Sequence, residues 1–373
     1  MSNWREGDPM KIMSMPVDKG GCGQYRTRQP FEFIKKYTPH DVHIIDVHKD
    51  DMMQIVEALK NTNVAVMRQG AEEILNFIEN YKDYFSHLKW VLDIDDNVEV
   101  VNPYSEHYLE LGTEEVIHRD KDGKEMFLWK DGQGGFDLER NRKRIASLIE
   151  GMKKADMVTT TTQTLADYAK QYNNNVKVLP NCINYDRWWK LPLKKNKKLR
   201  VVWSGGISHY EDWYTIKEPL NELMRKYDFT LVMIGAKFKG IVDEDNQKNL
   251  EIHDWIDFKG HSYRMMCMNA DIAVIPLKDM PFNHCKSSIK YYEMSAMGVP
   301  SVVANILPYS EDINEKNAFP YSTADEFKKQ LELAIKDEKL RHSVANEAMK
   351  YTKDNFDLKK NIHLWVDAYS SLL

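Results

Sequence analysis

The sequence predicts two α/β domains, each built on a doubly wound parallel sheet, and three observations carry that expectation. First, 373 residues exceed what one hydrophobic core usually organises, so two domains of roughly 180 residues each follow from size. Second, short apolar runs rich in β-branched residues alternate with segments of helical period from residue 10 onward, the pattern of parallel strands joined by crossover helices. Third, that rhythm restarts after a basic, proline-containing stretch at residues 191–198, whose composition suits an exposed connector.

In the first half the expected strands are residues 11–15, 42–47, 64–67, 90–94, 157–161 and 176–179, with helices over 28–37, 51–60, 72–85, 138–154 and 164–172. One region breaks the alternation. Residues 104–136 carry the turn signals Asp122-Gly123, Asp131-Gly132 and Gly134-Gly135 around Met126, Phe127, Leu128 and Trp129, and read as a hairpin insertion, either capping a site or a structural elaboration. The second half is expected to hold strands at 200–203, 230–234, 256–259, 272–275 and 301–304. At the end of the chain Ile362, Trp365, Val366, Tyr369 and Leu372 form a helical stripe that must bury against something, and a return to the first domain is one solution. The expected division is 1–187, 188–355 and a closing helix at 356–373.

Lys and Arg number 52 against 57 Asp and Glu, a formal charge of -5 that gives no general attraction to nucleic acid or anionic membrane. The basic clusters at residues 140–144 and 194–198 read as a solvated helix face and a linker. Residues 1–9 lack the apolar core of a signal peptide, and no apolar run approaches the roughly 20 residues that span a bilayer, so a cytoplasmic protein is expected. Cys22, Cys182, Cys267 and Cys285 show no CxxC or Cys/His pairing, which predicts reduced thiols and neither a disulfide framework nor a zinc site.

Ligands of open α/β sheets bind beyond the carboxyl ends of the strands, so four post-strand segments are the candidates for chemistry. After the first strand come Gly20, Gly21, Cys22, Gly23, Gln24, Tyr25 and Arg26, where glycines permit close backbone approach and Arg26 begins the next helix. The spacing is not GxGxxG, and Asp46 is the one acidic residue placed to bind a ribose, so a dinucleotide dehydrogenase fits poorly. The second segment holds Asp93, Asp95 and Asp96, carboxylates able to bind hydroxyls, act as a base or hold a divalent metal; no metal is expected. The third is Ser204, Gly205, Gly206, Ile207, Ser208 and His209, whose amides and hydroxyls suit a phosphate.

The fourth segment runs from Phe282 to Pro300. Ser287 or Ser288 caps a helix ending at Gly298, with Ile289, Tyr292 and Ala296 on its buried stripe and Glu293 at the stripe's margin. Lys286 and Lys290 beside the helix start, with the helix dipole, suit a diphosphate, and Glu293 suits ribose hydroxyls. A Lys290–Glu293 surface pair is the plainer alternative.

Together with its surroundings this segment resembles the group 1 glycosyltransferases of family 4. The features run in order: Val178-Leu179-Pro180-Asn181 with Ile183; Trp203 to Gly206 with His209 and Asp212; Asp257 to Gly260; Ala270 to Leu277; and Tyr292 to Val303. The resemblance covers about residues 176–355 and implies the GT-B fold, two Rossmann-like domains facing each other across a cleft. It further implies a nucleoside-diphosphate sugar donor, with a UDP-sugar expected, and retaining transfer to an acceptor hydroxyl with no obligatory metal. Glu293 matches the second glutamate of the family's paired motif, whereas the first would fall at Cys285. The usual arginine and lysine of the diphosphate clamp do not follow Gly206, so Lys286 and Lys290 stand in for them, helped by Ser204, Gly205, Gly206, His209, Ser287 and Ser288.

Transfer needs fixed positive potential on the departing diphosphate. On this reading Lys286 and Lys290 supply it, while Gly21, Gly23, Gln24, Tyr25 and Arg26 take the acceptor side with Asp95 and Asp96. Acceptor identity stays open among glycan, small metabolite, protein and modified DNA base. A nucleotide-sugar epimerase and a non-catalytic sugar-nucleotide or glycan-binding protein are the alternative functions.

Overall fold

The computed structural model describes residues 8–16, 18, 20–45, 52–68, 84–120 and 122–373; Asp46 and nearly all of the helix expected at 72–85 lie outside them. The chain divides into two compact units, the first comprising Met1–Pro103, His107–Asn181 and Leu358–Leu373, the second Tyr104–Glu106 and Cys182–Asp357.

The first unit carries β1 (Lys11–Met15), β2 (Asp41–Ile44), β3 (Val64–Arg68), β4 (Lys89–Asp93), β5 (Val116–Arg119), β6 (Glu125–Trp129), β7 (Met157–Thr160) and β8 (Val176–Val178). Six of these form one sheet in the order β2-β1-β3-β4-β7-β8, every neighbouring pair parallel. Near-continuous apolar strands such as Val64–Met67 are buried along their length, as a sheet covered on both faces requires. β5 and β6 pair antiparallel within the segment read as an insertion, and Gly123 at φ 79° serves their turn.

The helix Leu138–Lys154 starts where the Asp137 carboxylate accepts from the Arg140 amide, has Glu139 in its first turn and Lys153 and Lys154 in its last, and buries Ile145, Leu148 and Met152. The C-terminal helix Leu358–Ser370 buries Ile362, Trp365, Ala368 and Tyr369, and the Tyr369 ring stacks on Phe31 with centroids 5.9 Å apart.

The second unit holds β9 (Leu199–Gly205), β10 (Phe229–Gly235), β11 (Leu250–His253), β12 (Ile272–Ile275), β13 (Ser301–Ala304) and β14 (Phe319–Tyr321), all parallel in the order β11-β10-β9-β12-β13-β14. Val201, Val202 and Trp203 of the central β9 are buried in its core with Trp213, Ile234 and Val274. Full burial of such side chains stabilises by about 1.5–3 kcal/mol each.

One expected strand is corrected. Residues 256–259 do not extend a sheet, because the Asp257 side chain accepts from the Lys259 amide and starts the helix Phe258–Cys267. The strand in that place lies earlier, at β11, where Glu251 meets Arg200 of β9, reaching across β10, in a two-point ion pair. In both sheets the strand order reverses next to the first strand, between β1 and β3 and between β9 and β12. Those reversals open crevices at the carboxyl ends, where bound ligands are usually found.

Candidate functional site

In the second unit β9 delivers Ser204, Gly205 and Gly206 to the reversal point. A Cβ on Gly205 would stand 2.6 Å from Trp203 Cζ2 and 3.2 Å from Lys290 Cε, so only glycine lets this backbone lie against the lysine stem. Gly206 has nothing within 4 Å of such a position and is open. Gly235 ends the adjacent β10 at φ 99°, and a Cβ there would meet the Gly205 carbonyl oxygen at 2.5 Å. Two strand ends therefore present bare backbone side by side. Gly235 was not among the sequence candidates, although an apolar run ending in glycine is its signal.

Beyond Gly206 the chain makes a single turn of 3-10 helix, Ile207–His209, and then the short helix Tyr210–Tyr214. His209 is buried, with Nδ1 2.6 Å from Asp212 Oδ2 and Nε2 2.9 Å from Lys290 Nζ. An ammonium has no acceptor capacity, so Nε2 accepts from Lys290 and Nδ1 donates to Asp212. Burial, reinforced by the charge of Lys290, lowers the imidazole from its ordinary value to about 4 against the opposing pull of Asp212. The ring is thus neutral at pH 7 and holds the lysine charge in place.

Asp212 also ties two elements together. Its Oδ1 accepts from the Lys278 amide at 2.8 Å and from Asn283 Nδ2 at 3.0 Å, fastening the segment after β9 to the segment after β12 across the reversal point.

The helix Ile289–Ala296 has Ser288 at its N-cap without a side-chain cap bond, no acidic residue in its first turn, and Gly298 at φ 68° just past its end. First-turn amides have no acceptor within the helix, and with no acidic residue beside them they make its amino end electropositive. Lys286 lies over the Phe282 ring with Nζ 4.5 Å from the centroid, and its charge reaches His209. Ser287 is half-buried between Lys286 and the cap residue. Glu293 is buried one turn on, its Oε1 4.0 Å from His261 Nε2. Cys285 is buried as well.

The structure thus gathers Gly205, Gly206, His209, Lys286, Lys290 and the cap residues at one end of one sheet. It surrounds Tyr292 and Glu293 with protein, so this helix is buried over Tyr291–Ala296 and not along a single stripe. Tyr292 donates to Asp312 at 2.7 Å, an acceptor unreadable from sequence spacing.

In the first unit the glycine segment is not a loop. Gly21–Gly23 is already helical, Gln24–Arg28 forms a π-helical turn, and the α-helix Gln29–Tyr37 follows directly. Asp18 Oδ1 accepts from the amides of Gly20 at 2.7 Å and Gly23 at 3.1 Å. A Cβ on Gly23 would stand 2.3 Å from the Asp18 carbonyl oxygen, which explains that glycine. Gln24 and Tyr25 are buried. So is Arg26, which donates from Nε and Nη2 to the two oxygens of Asp93 at 2.9 and 2.6 Å, and from Nη1 to the Leu179 carbonyl and Asn181.

Arg68, at the end of β3, bridges Asp18 and Asp95, so the carboxyl ends of the adjacent strands β1, β3 and β4 are joined by an Asp–Arg–Asp chain. Burial opposes the charge of Asp95, but the Arg68 guanidinium outweighs it and holds this carboxyl below its ordinary value. Neither Asp18 nor Arg68 was a sequence candidate; their link needs the fold.

No protein-family model matches the sequence, and no curated protein matches it. Solved structures do. Sucrose-phosphate synthase of Thermosynechococcus elongatus is similar over 98% of both chains with a TM-score of 0.64 at 12% identity. A glycosyltransferase of Rickettsia africae is similar over 98% of this chain and 99% of its own, with a TM-score of 0.62 at 12% identity. HepE of Anabaena, solved with UDP, is similar over 98% of this chain and 100% of its own, with a TM-score of 0.63 at 12% identity. With two six-stranded parallel sheets in place and these likenesses spanning nearly the whole chain, the fold is GT-B, the two-sheet fold of glycosyltransferases.

Proposed function

We propose that this protein transfers a sugar from a nucleoside-diphosphate sugar, a UDP-sugar, to an acceptor hydroxyl, with retention and without an obligatory metal. The observation that carries the reading is the junction of Gly205, Gly206, Lys290 and the amino end of the Ile289–Ala296 helix, with a neutral His209 holding the lysine. Bare backbone, an oriented ammonium and helix amides are what a diphosphate needs as its leaving oxygen gains charge. Lys286 adds a second cation, and Glu293, one turn along, is assigned the ribose hydroxyls. HepE was also solved with UDP-glucose, in keeping with a uridine donor.

Because Lys286 and Lys290 can neutralise the diphosphate, no metal is required for that task. The carboxylates of the first unit have other partners, since Asp93 is held by Arg26 and Asp95 by Arg68. Acceptor binding is assigned to the carboxyl end of the first sheet, around Gly21, Gly23, Asp95 and Asp96. There Arg26, Gln24 and Tyr25 position the segment from beneath.

Buried Cys285, at the place of the family's first glutamate, favours one second reading, sugar-nucleotide binding without transfer. A nucleotide screen by thermal shift tests the donor site, since a ligand of the native state raises stability by RT ln(1+[L]/Kd). UDP is expected to raise the midpoint more than ADP or GDP, and no response to any nucleoside diphosphate would overturn the donor assignment. Slow release of free sugar from UDP-glucose would separate transfer chemistry from binding alone.

A further inference from the structure

The second unit has another cavity, at the opposite end of its sheet. It encloses about 280 Å³ beside the residues that lead into β12 and β13, Ala270-Asp271 and Val299-Pro300, and so lies at the amino ends of the strands. Its outer wall is the connector, from Trp189 to Asn196. That wall is built rather than draped. Asn269 donates through Nδ2 to the Lys194 carbonyl at 2.8 Å and to Asn196 Oδ1 at 2.7 Å, and Asn196 Nδ2 donates to Asp271 Oδ2 at 2.7 Å. The Lys190 stem lies against Gly298, where a Cβ would come within 3.1 Å of Lys190 Cδ.

The lining is unbalanced in charge. Lys190, Lys194, Lys195 and Arg341 face Asp271 and Glu338, and both carboxylates are engaged. Glu338 receives Lys195 at 2.8 Å on each oxygen, and Asp271 receives Asn196 and the Arg200 amide. Among the described residues neither Lys190 nor Lys194 forms an ion pair. Arg341 is buried and uses Nη1 on the Ala334 and Ile335 carbonyls at the end of the preceding helix, which fixes its guanidinium at the cavity. Four cations against two carboxylates leave the lining with a net positive charge, a local positive potential that the overall charge of -5 conceals. Met265, Met297, Val299 and Pro300 give the same cavity an apolar floor.

We propose that this cavity is a second ligand site, one that binds a small phosphate monoester with an apolar or sugar-sized body. A phosphate dianion matches Arg341 and the two lysines, the rigid guanidinium supplying direction and the lysines supplying charge. The body packs on the methionine and valine floor. The volume sits at the lower edge of small-molecule pockets, about 300 Å³, which suits a monophosphate and is small for a nucleotide sugar. The site shares no residue with the donor junction and does not depend on the reading given to that junction.

Calorimetric titration of phenyl phosphate and of inorganic phosphate into the full chain, with saturating UDP present, tests the proposal. Phenyl phosphate is expected to bind at least about tenfold tighter than inorganic phosphate, the order expected from burying one small apolar group. In the doubly substituted Lys190→Gln, Lys194→Gln chain its affinity is expected to fall at least about tenfold while UDP affinity is unchanged. Both lysines are exposed, so that variant tests binding rather than folding. Arg341→Met is expected to weaken phenyl phosphate further. Unchanged affinity in the double-lysine variant, absence of binding at millimolar phenyl phosphate, or restoration of binding only when UDP is omitted would each overturn the site.

Discussion

The guanidinium of Arg26 meets the two oxygens of Asp93 in a pair with almost no solvent access, and Thr159 donates to the same carboxylate at 2.6 Å. Removing one partner of a buried pair leaves the other charge stranded and costs about 3–5 kcal/mol. Arg26→Ala is therefore expected to lower the unfolding free energy of the first unit by about that amount in chemical denaturation, with UDP affinity of the folded variant intact. A loss below about 1 kcal/mol would show that Asp93 finds another partner. Whereas Gly21–Gly23 is already helical and Arg26 lies within the π-helical turn that follows, the sequence placed Arg26 at the start of a helix after a glycine loop. It could not reveal that Asp93, 67 residues away, and the Leu179 carbonyl, 153 away, claim its donors, because such pairings exist only once β1, β4 and β8 share a sheet. That Glu293 and Lys290 share one helix was legible for the opposite reason, because it depends only on local spacing, whereas the contact of Lys290 with His209, 81 residues away, again needs the fold.

At the scale of elements, the Asp212–His209–Lys290 chain joins the turn after β9 to the Ile289–Ala296 helix, and it has a pH signature. His209 sits at about 4 in the folded unit against an ordinary 6.5. Between those values the unfolded chain takes up a proton that the folded one does not, so stability is full above pH 6.5 and falls as pH drops towards 4. Denaturation midpoints for the wild type and His209→Gln are expected to converge over that interval, the variant lacking this part of the acid sensitivity. Parallel curves would mean that His209 titrates normally. Gly298 ends the same helix at φ 68°, where a side chain costs about 1–2 kcal/mol. Gly298→Ala is expected to lose that much in thermal or chemical unfolding, and a neutral substitution would contradict the strain. Most strands were readable from their β-branched runs, several to the residue, as at Lys11–Met15, Ile272–Ile275 and Ser301–Ala304. The miss at 256–259 arose because Asp257 is a helix cap and the apolar pattern of the true strand, Leu250–His253, is interrupted by Glu251, which pairs with Arg200.

At the scale of the molecule, the two parallel sheets each reverse strand order beside their first strand; the segments after β1, β9 and β12 fall at the carboxyl ends on those reversals, while Asp93, Asp95 and Asp96 lie at the end of β4, one strand away. That placement was legible because post-strand glycines and helix starts are local signals. The arginine bridges of the first unit and the connector-walled cavity of the second were not, since both arise from residues distant in sequence. The account centres on the second unit as the holder of the nucleoside diphosphate. Isothermal titration of UDP into the wild type, Lys286→Ala and Glu293→Gln tests it most directly. Each substitution is expected to weaken UDP by about 1–3 kcal/mol, the range of charge-assisted hydrogen bonds, and wild-type affinity in both variants would remove this helix from the donor site.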